Sequence, residues 1–340
     1  MPWSGVWFRE EIDLMKRVLG SALLAAGLLC TTGAFAEETL RGISALPKNN
    51  IVTQSFLDYV EMVNAAGKGI VRIDVVGGPE ALPANQQDTA LRNGVIDIQS
   101  GPAGYYSGVL PESEAFTGAT VTAAEARKNG AFNMMKKAWR DRLGAELLAW
   151  NGAGIQYYIY LATKPRLDEA GNIDLKGVKL RSVGTYRDWF DALGAQNIML
   201  QQSEVFTALE RGVVDGFGWI TFVSDIGVNS LLKARIGPAV WQGSPVIMMN
   251  AERYDALSPE AQKILQDASI ELEAKMAAKM PERNAHEAER LKADGVELVE
   301  LEPAAARQHV KLAQSVVWDK LNEVVPAFAA EIRPLLYPEN

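Results

Sequence analysis

The chain has 340 residues, which at about 150 residues per domain is a prior of two domains and enough to enclose a site between them. With 48% hydrophobic and 22% charged residues it sits at ordinary globular usage, which excludes a disordered chain and a polytopic membrane protein. A formal net charge of −8 repels polyphosphate and gives no footprint for nucleic acid or anionic lipid, so a small anion must be held by one or two local cations.

Met15-Lys16-Arg17 opens an uncharged stretch from Val18 to Cys30, and Ala34-Phe35-Ala36 follows it. A basic start, a short apolar run and a small-x-small end are the three parts of a secretory signal peptide. The run is shorter than the roughly 20 residues needed to span a bilayer. Glu10, Glu11 and Asp13 do not suit a signal start, so residues 1–36 read as an N-terminal extension plus signal peptide, with Met15 as the expected first residue and cleavage expected after Ala36. The single cysteine, Cys30, falls in the removed part. Leu29 before it is not the small residue that a lipid-attachment box requires.

In the mature chain, the spacing predicts a strand over 39–46 and a helix over 51–66 ending at Gly67. Val71, Ile73 and Val75 alternate as a second strand into Gly77-Gly78-Pro79. A helix over 84–92 stops at Gly94, and Val95-Ile96-Asp97-Ile98 reads as a short buried strand. Thr122-x-x-Glu125 is a capping box before a long amphipathic helix expected to run to about Leu143. Ser258-Pro259 starts another helix toward Leu291, long enough to span two lobes, with Pro281 inside it. Such alternation of strand and helix implies parallel strands with helices on the faces.

One phrase occurs twice. Ala90-Leu91-Arg92-Asn93-Gly94-Val95-Ile96-Asp97 and Ala208-Leu209-Glu210-Arg211-Gly212-Val213-Val214-Asp215 share Ala, Leu, Gly, Val and Asp at matching places. A glycine-capped αβ unit can look like this anywhere; the sharper reading is two α/β lobes of similar build. In open α/β sheets ligands sit beyond the carboxyl ends of the strands, so residues just after Asp97 and Asp215 are expected to line a pocket.

The apparatus of catalysis is missing. There is no G-x-S-x-G elbow and no P-loop, and the only imidazoles, His286 and His309, fall in the charged C-terminal third, where a solvated helix face is expected for both. In His286-Glu287-Ala288-Glu289-Arg290 an arginine stands where a zincin needs its second histidine. Gly152-Ala153-Gly154-Ile155-Gln156-Tyr157 ends in tyrosine where a dinucleotide fingerprint needs glycine.

Four blocks carry a resemblance: Asp174-Leu175-Lys176-Gly177-Val178-Lys179-Leu180-Arg181, then Leu193-Gly194-Ala195, then Ser203-Glu204-Val205-Phe206-Thr207-Ala208-Leu209, then Gly212-Val213-Val214-Asp215-Gly216. Their order and spacing resemble the solute-binding proteins of tripartite ATP-independent periplasmic (TRAP) transporters, in the DctP-like branch that binds organic acids. The resemblance implies an α/β, two-lobed periplasmic binding protein fold, each lobe a sheet flanked by helices, with a long C-terminal helix spanning the hinge. It implies lobe I over 37–155 and 245–282 and lobe II over 156–244 and 283–340. It also implies a periplasmic receptor without enzyme activity that closes on a small carboxylate and hands it to the membrane permease subunits. A ligand-binding sensor subunit is one alternative reading, and a secreted α/β hydrolase another.

Arg181 falls on the family's carboxylate-binding arginine, where a planar fork can pair bidentately with a carboxylate. Gln156 and Trp219 resemble the subgroup that binds 2-oxo acids together with a metal ion. In that subgroup a glutamate precedes the tryptophan; Gly218 stands there instead, which argues against a bound cation and leaves the chain without an expected cofactor. By alignment, Tyr105, Tyr158 and Gln202 also fall on pocket positions, and with Phe217 they imply an aromatic pocket. Tyr158 replaces a second family arginine, which implies a monocarboxylate, aromatic or hydroxy- or oxo-substituted.

Overall fold

The structure is a computed structural model that describes residues 37–338; the expected signal segment and its cleavage site lie outside them. The first sheet begins with β1 (Glu38–Ser44), α1 (Ile51–Ala66), β2 (Val71–Gly77), α2 (Ala84–Arg92) and β3 (Ile98–Pro102). After two 3-10 turns, Ala103–Tyr106 and Pro111–Phe116, come α3 (Ala123–Asn129), α4 (Ala131–Leu143) and β4 (Ala145–Trp150). The second sheet then takes β5 (Tyr157–Leu161), β6 (Lys179–Ser182), α5 (Gly184–Ala192), β7 (Gln196–Met199), α6 (Val205–Glu210), β8 (Gly216–Ile220) and β9 (Ala234–Gly237). β10 (Pro245–Asn250) returns to the first sheet, and α7 (Ala251–Asp255), α8 (Pro259–Ala293), β11 (Glu297–Glu300), α9 (Pro303–Val324) and α10 (Pro326–Leu336) follow.

The strand orders are β2-β1-β3-β10-β4 and β11-β9-β5-β8-β6-β7. In the first sheet β1 pairs in parallel with β2 and β3; in the second, β6 pairs in parallel with β7 and β8. Both halves therefore hold the same βαβαβ unit with its first strand in the middle. β10 and β5 run antiparallel to both of their neighbours and carry the chain between the two sheets. Among the described residues no helix is long and apolar enough to cross a membrane.

The repeated phrase closes the same hydrogen bonds in each unit. Val95 N and Ile96 N both reach back to Ala90 O at 2.8 and 3.4 Å, as Val213 N and Val214 N do to Ala208 O at 2.9 and 3.3 Å. Asp97 N donates to Arg41 O at 2.9 Å while its carboxylate accepts Arg41 N at 2.7 Å. Asp215 N donates to Lys179 O at 2.7 Å while its carboxylate accepts Lys179 N at 2.9 Å. The basic side chains complete the pattern, Arg41 Nη2 on Gly94 O at 2.7 Å and Lys179 Nζ on Gly212 O at 2.8 Å. This returning turn also corrects the strand expected from Val95: those amides are spent on Ala90, Val95 is exposed, and β3 begins only at Ile98.

The capping box forms, Glu125 N donating to Thr122 Oγ1 at 3.2 Å and Thr122 N to Glu125 Oε2 at 2.7 Å. The single helix expected from it is two, because Gly130 takes a left-handed φ of 92° and ends α3 before α4 begins. Ser258 caps α8, accepting from Ala261 N. At 1.5 Å per residue its 35 residues span roughly 50 Å. Tyr59 OH on Leu265 O ties it to α1 at 3.0 Å, and Ser224 N on Glu287 Oε1 ties it to the second sheet at 2.9 Å. α9 touches both halves as well, Trp241 Nε1 donating to Ala313 O at 3.0 Å and Trp318 Nε1 to Gly118 O at 3.1 Å, and α10 packs on the first half, where Thr120 N donates to Leu336 O at 2.8 Å.

His286 is exposed, but His309 is not on the solvated face expected for it. It is 4% exposed and packs on Trp189, ring centres 5.5 Å apart, because α9 lays this face against α5. Neither ring nitrogen has a partner, and burial lowers its pKa to about 4.

Candidate ligand-binding site

A cavity partly open to solvent lies between the two sheets, with about 50 Å³ of water-accessible space. Its walls come from the carboxyl ends of β1, β3, β6 and β8, where side chains meet without any strand continuing to cover them. The first sheet contributes Leu46, Asn50, Val52, Pro102 and Tyr105. The second contributes Arg181, Val183, Tyr186, Trp219 and Ile220, and the two crossing segments supply Tyr157 and Ser244.

Among the described residues, Arg181 is the only charged side chain in this wall. It stands near the end of β6 and is 1% exposed. Nε donates to Leu200 O at 3.0 Å, whereas Nη1 is buried with no partner. Desolvation lowers its pKa, and the Tyr186, Tyr105 and Glu204 side chains oppose that shift. A guanidinium keeps its charge through such a shift, so the cavity holds a fixed cation with a free donor and no acid in its wall. Its Cζ lies 5.7 Å from the ring centre of Trp219, whose own Nε1 is likewise buried and unpartnered. Two donors therefore wait on the same wall. A buried donor left unmade costs on the order of 1–3 kcal/mol, and an acceptor entering the cavity removes that cost.

The remaining wall is aromatic. Tyr105 is 42% exposed on the turn after β3. Tyr157 is buried and hydrogen-bonded to Ser244; burial raises its phenol to about 12. Tyr186 stacks on Phe190 with ring centres 5.7 Å apart and an interplanar angle of 11°.

Among the residues that the resemblance selects, the structure brings Arg181, Trp219 and Tyr105 together in the wall. It sets the other four outside. Gln156 Oε1 accepts from Tyr158 OH at 3.0 Å, and the Tyr158 ring carries the Arg235 guanidinium 4.4 Å above it, so the two satisfy each other away from the cavity. Phe217 is fully buried beneath α6 and stacks on Tyr160 at 5.7 Å. Gln202 sits on the 3-10 turn Gln202–Glu204. Residue-by-residue reading missed Tyr186, Asn50 and Ser244. The signal for the first two was positional: Asn50 follows β1, and Tyr186 follows β6, at the same ends of equivalent strands.

The donor set does not fit a cation. A Cβ on Gly218 would lie 2.7 Å from Tyr186 Cδ1, so that position has no room for a side chain, and Gln156 Oε1 is already engaged. Among the described residues no group of three His, Cys, Asp or Glu stands ready to hold a metal.

Two α/β sheets joined by crossing strands, with a cleft between them that holds one buried cation, define a two-lobed solute-binding protein. Residues 43–323 match the family model described as bacterial extracellular solute-binding protein, family 7, and the chain belongs to that family, whose members are receptors and not enzymes. It is 27% identical over 154 residues to a monocarboxylate 2-oxoacid-binding periplasmic protein of Nostoc sp., a match covering 44% of this chain and 41% of that protein. It is 24% identical over 322 residues to a solute-binding protein of Albidiferax ferrireducens, covering 87% and 90%. A Bordetella pertussis extracytoplasmic solute receptor binding pyroglutamic acid has the same fold, with a TM-score of 0.76, 18% identity, and coverage of 88% of this chain and 99% of that one. A TRAP transporter solute-binding protein of Bordetella bronchiseptica, with calcium and picolinate in its active site, superposes with a TM-score of 0.75 at 21% identity, covering 89% and 90%.

Proposed function

We propose that this chain is the periplasmic receptor of a TRAP transporter, capturing a small monocarboxylate with a second, uncharged oxygen acceptor and delivering it to the membrane permease. One observation carries the reading: Arg181, buried in the cavity wall as its one charge, keeps Nη1 without a partner beside the unpartnered Nε1 of Trp219. The carboxylate pairs with the guanidinium, and a 2-oxo, 2-hydroxy or lactam oxygen suits the indole. An ammonium finds no acid in the wall, so the zwitterionic amino acid of the same shape is rejected. A second carboxylate finds no second cation. Pyroglutamate, bound by the Bordetella pertussis receptor, has this chemistry, its lactam carbonyl being the uncharged oxygen; picolinate, bound with calcium by the Bordetella bronchiseptica protein, is a monocarboxylate whose second acceptor is a ring nitrogen.

In this reading the lobes are 37–155 with 245–282 and 156–244 with 283–340, they close on the ligand, and Gln156, Tyr158, Phe217 and Gln202 support the wall from behind. Export follows cleavage after Ala36. Thermal unfolding of the exported protein against pyruvate, 2-oxobutyrate, lactate, pyroglutamate, picolinate, alanine and succinate tests the specificity, with and without a chelator. An acid at 100 times its Kd stabilises the fold by about 2.7 kcal/mol. The expected result is a shift with an oxygenated monocarboxylate, none with alanine, and no loss on chelation. A shift with alanine or succinate alone overturns the reading.

A further inference from the structure

Asn50 has two places in the fold. It follows β1 as the N-cap of α1, where its Oδ1 accepts from Val52 N at 2.9 Å. It is also a buried part of the cavity wall, supplied by the first sheet where Arg181 and Trp219 come from the second. A side-chain amide has an acceptor end and a donor end, and in general either can face a ligand. Here the cap decides between them. Val52 N–H, in the first turn of a helix, has no acceptor inside that helix, so it takes the carbonyl end and leaves Nδ2 as the end turned away from it. Nδ2 has no hydrogen-bond partner among the described residues.

The rest of the first sheet's wall holds no comparable side chain. Leu46, Val52 and Pro102 are apolar, and the hydroxyl of Tyr105 rotates and can donate or accept. We infer that Asn50 is the ligand contact of the first sheet and determines which ligands the cleft accepts, Nδ2 donating to an oxygen of the acid that Arg181 and Trp219 hold from the second. The inference rests on the reading of the cleft as a carboxylate site. Guanidinium, indole and the nitrogen end of an amide are donors that cannot accept, so the ligand is met from both sheets by N–H groups alone. A carboxylate with an oxo or lactam oxygen satisfies all three. An ammonium in the same place would set N–H against N–H, which rejects it. The contact also favours closure, because an acid held by Arg181 alone leaves Nδ2 without a partner until the first sheet comes against it.

Asn50→Asp exchanges this one nitrogen for oxygen. Aspartate caps a helix as well as asparagine does, so α1 keeps its start while the group facing the ligand changes from a donor to an anion. Asn50→Ser also keeps a capping oxygen and removes the amide nitrogen. Thermal unfolding of the ligand-free exported proteins, and calorimetry with pyruvate, lactate, pyroglutamate and alanine, test the inference. Both variants should unfold close to wild type. Affinity for the acid that wild type binds should fall about tenfold in Asn50→Ser and about a hundredfold in Asn50→Asp. Asn50→Asp alone should bind alanine, whose ammonium the new carboxylate accepts. An acid that Asn50→Ser binds within about twofold of wild type overturns the inference and leaves the proposed function standing; should that variant not fold, Asn50→Asp decides by the same criterion. A wild type that binds none of the acids overturns the proposed function and this inference with it.

Discussion

The backbone of Gly218 lies close against the ring of Tyr186: a Cβ on the glycine would come within 2.7 Å of Cδ1 and 2.8 Å of Cε1. Tyr186 fills the space in front of β8 and continues as a stack onto Phe190 and Trp241, at 5.7 and 6.2 Å between ring centres. The absence of a side chain at one position thus builds the aromatic wall at another.

Gly218→Ala is therefore expected to displace Tyr186 from both its stack and the cavity. Overpacking of this kind costs about 1–3 kcal/mol, read as a lower urea midpoint with an unchanged slope. Acid binding should weaken in the same variant. Unchanged stability would mean that the ring yields freely and does not define the wall.

Arg181→Lys should fail to restore what Arg181→Ala loses. Removing one partner of a desolvated charge pair costs on the order of 2–5 kcal/mol, and lysine keeps the charge without the fork that leaves Nη1 free while Nε holds Leu200 O. Calorimetry with the panel acid that binds wild type decides between charge and geometry. Binding by Arg181→Lys within about twofold of wild type, roughly 0.4 kcal/mol, removes the bidentate assignment.

Much of the fold could be read from the chain because the code was local. Gly67, Gly94 and Gly212 end their helices, Thr122 and Ser258 start theirs, and the repeated octapeptide announced two equivalent units. The strand boundary at Val95 was misread because apolar composition cannot show that two amides have already been spent on Ala90. The burial of His309 was hidden for a related reason. Its helix is flanked by charge, and only the packing of α9 on Trp189 takes that one face out of water. In the site, the family resemblance pointed to Arg181 and Trp219, whereas Tyr186 carried only the positional signal of following β6, and its place in the wall depends on the room that Gly218 leaves. Phe217 and Trp219 are two residues apart on one strand and both are buried, yet only Trp219 lines the cavity, a difference that periodicity does not carry.

The twin contacts of Asp97 and Asp215 make a paired prediction. Each carboxylate accepts the backbone N–H of the basic residue that opens or lies in its neighbouring strand, so truncation strands a partly buried donor, at the lower end of about 1–3 kcal/mol. Asp97→Ala and Asp215→Ala should each destabilise by that order in urea unfolding, and the two asparagine variants, whose amide oxygen can still accept, by less. The Arg41 side chain is 48% exposed, so its charge adds little to the Asp97 contact. If Asp97→Asn costs as much as Asp97→Ala, the ion pair matters more than the backbone bond.

His309 and Asp225 titrate in overlapping windows with opposite signs, which sets how the acid stability of the protein has to be measured. His309 has its pKa lowered from 6.5 to about 4 by burial, so the fold keeps it neutral. Its contribution is fully present above pH 6.5 and is lost as pH falls toward 4, by roughly 3 kcal/mol at 1.36 kcal/mol per pKa unit. Asp225, raised to about 6, acts the other way, favouring the fold as pH falls through 6. A wild-type curve alone shows only the difference. Replacing the imidazole by His309→Phe removes one slope, and urea unfolding of both proteins at pH 4.5, 5.5 and 7 isolates it: the stability difference between variant and wild type should shift in the variant's favour as the pH drops. A difference that stays constant over that range would mean that His309 is protonated in the folded protein with a partner that its buried nitrogens do not show, and the packing of α9 on Trp189 would need another explanation.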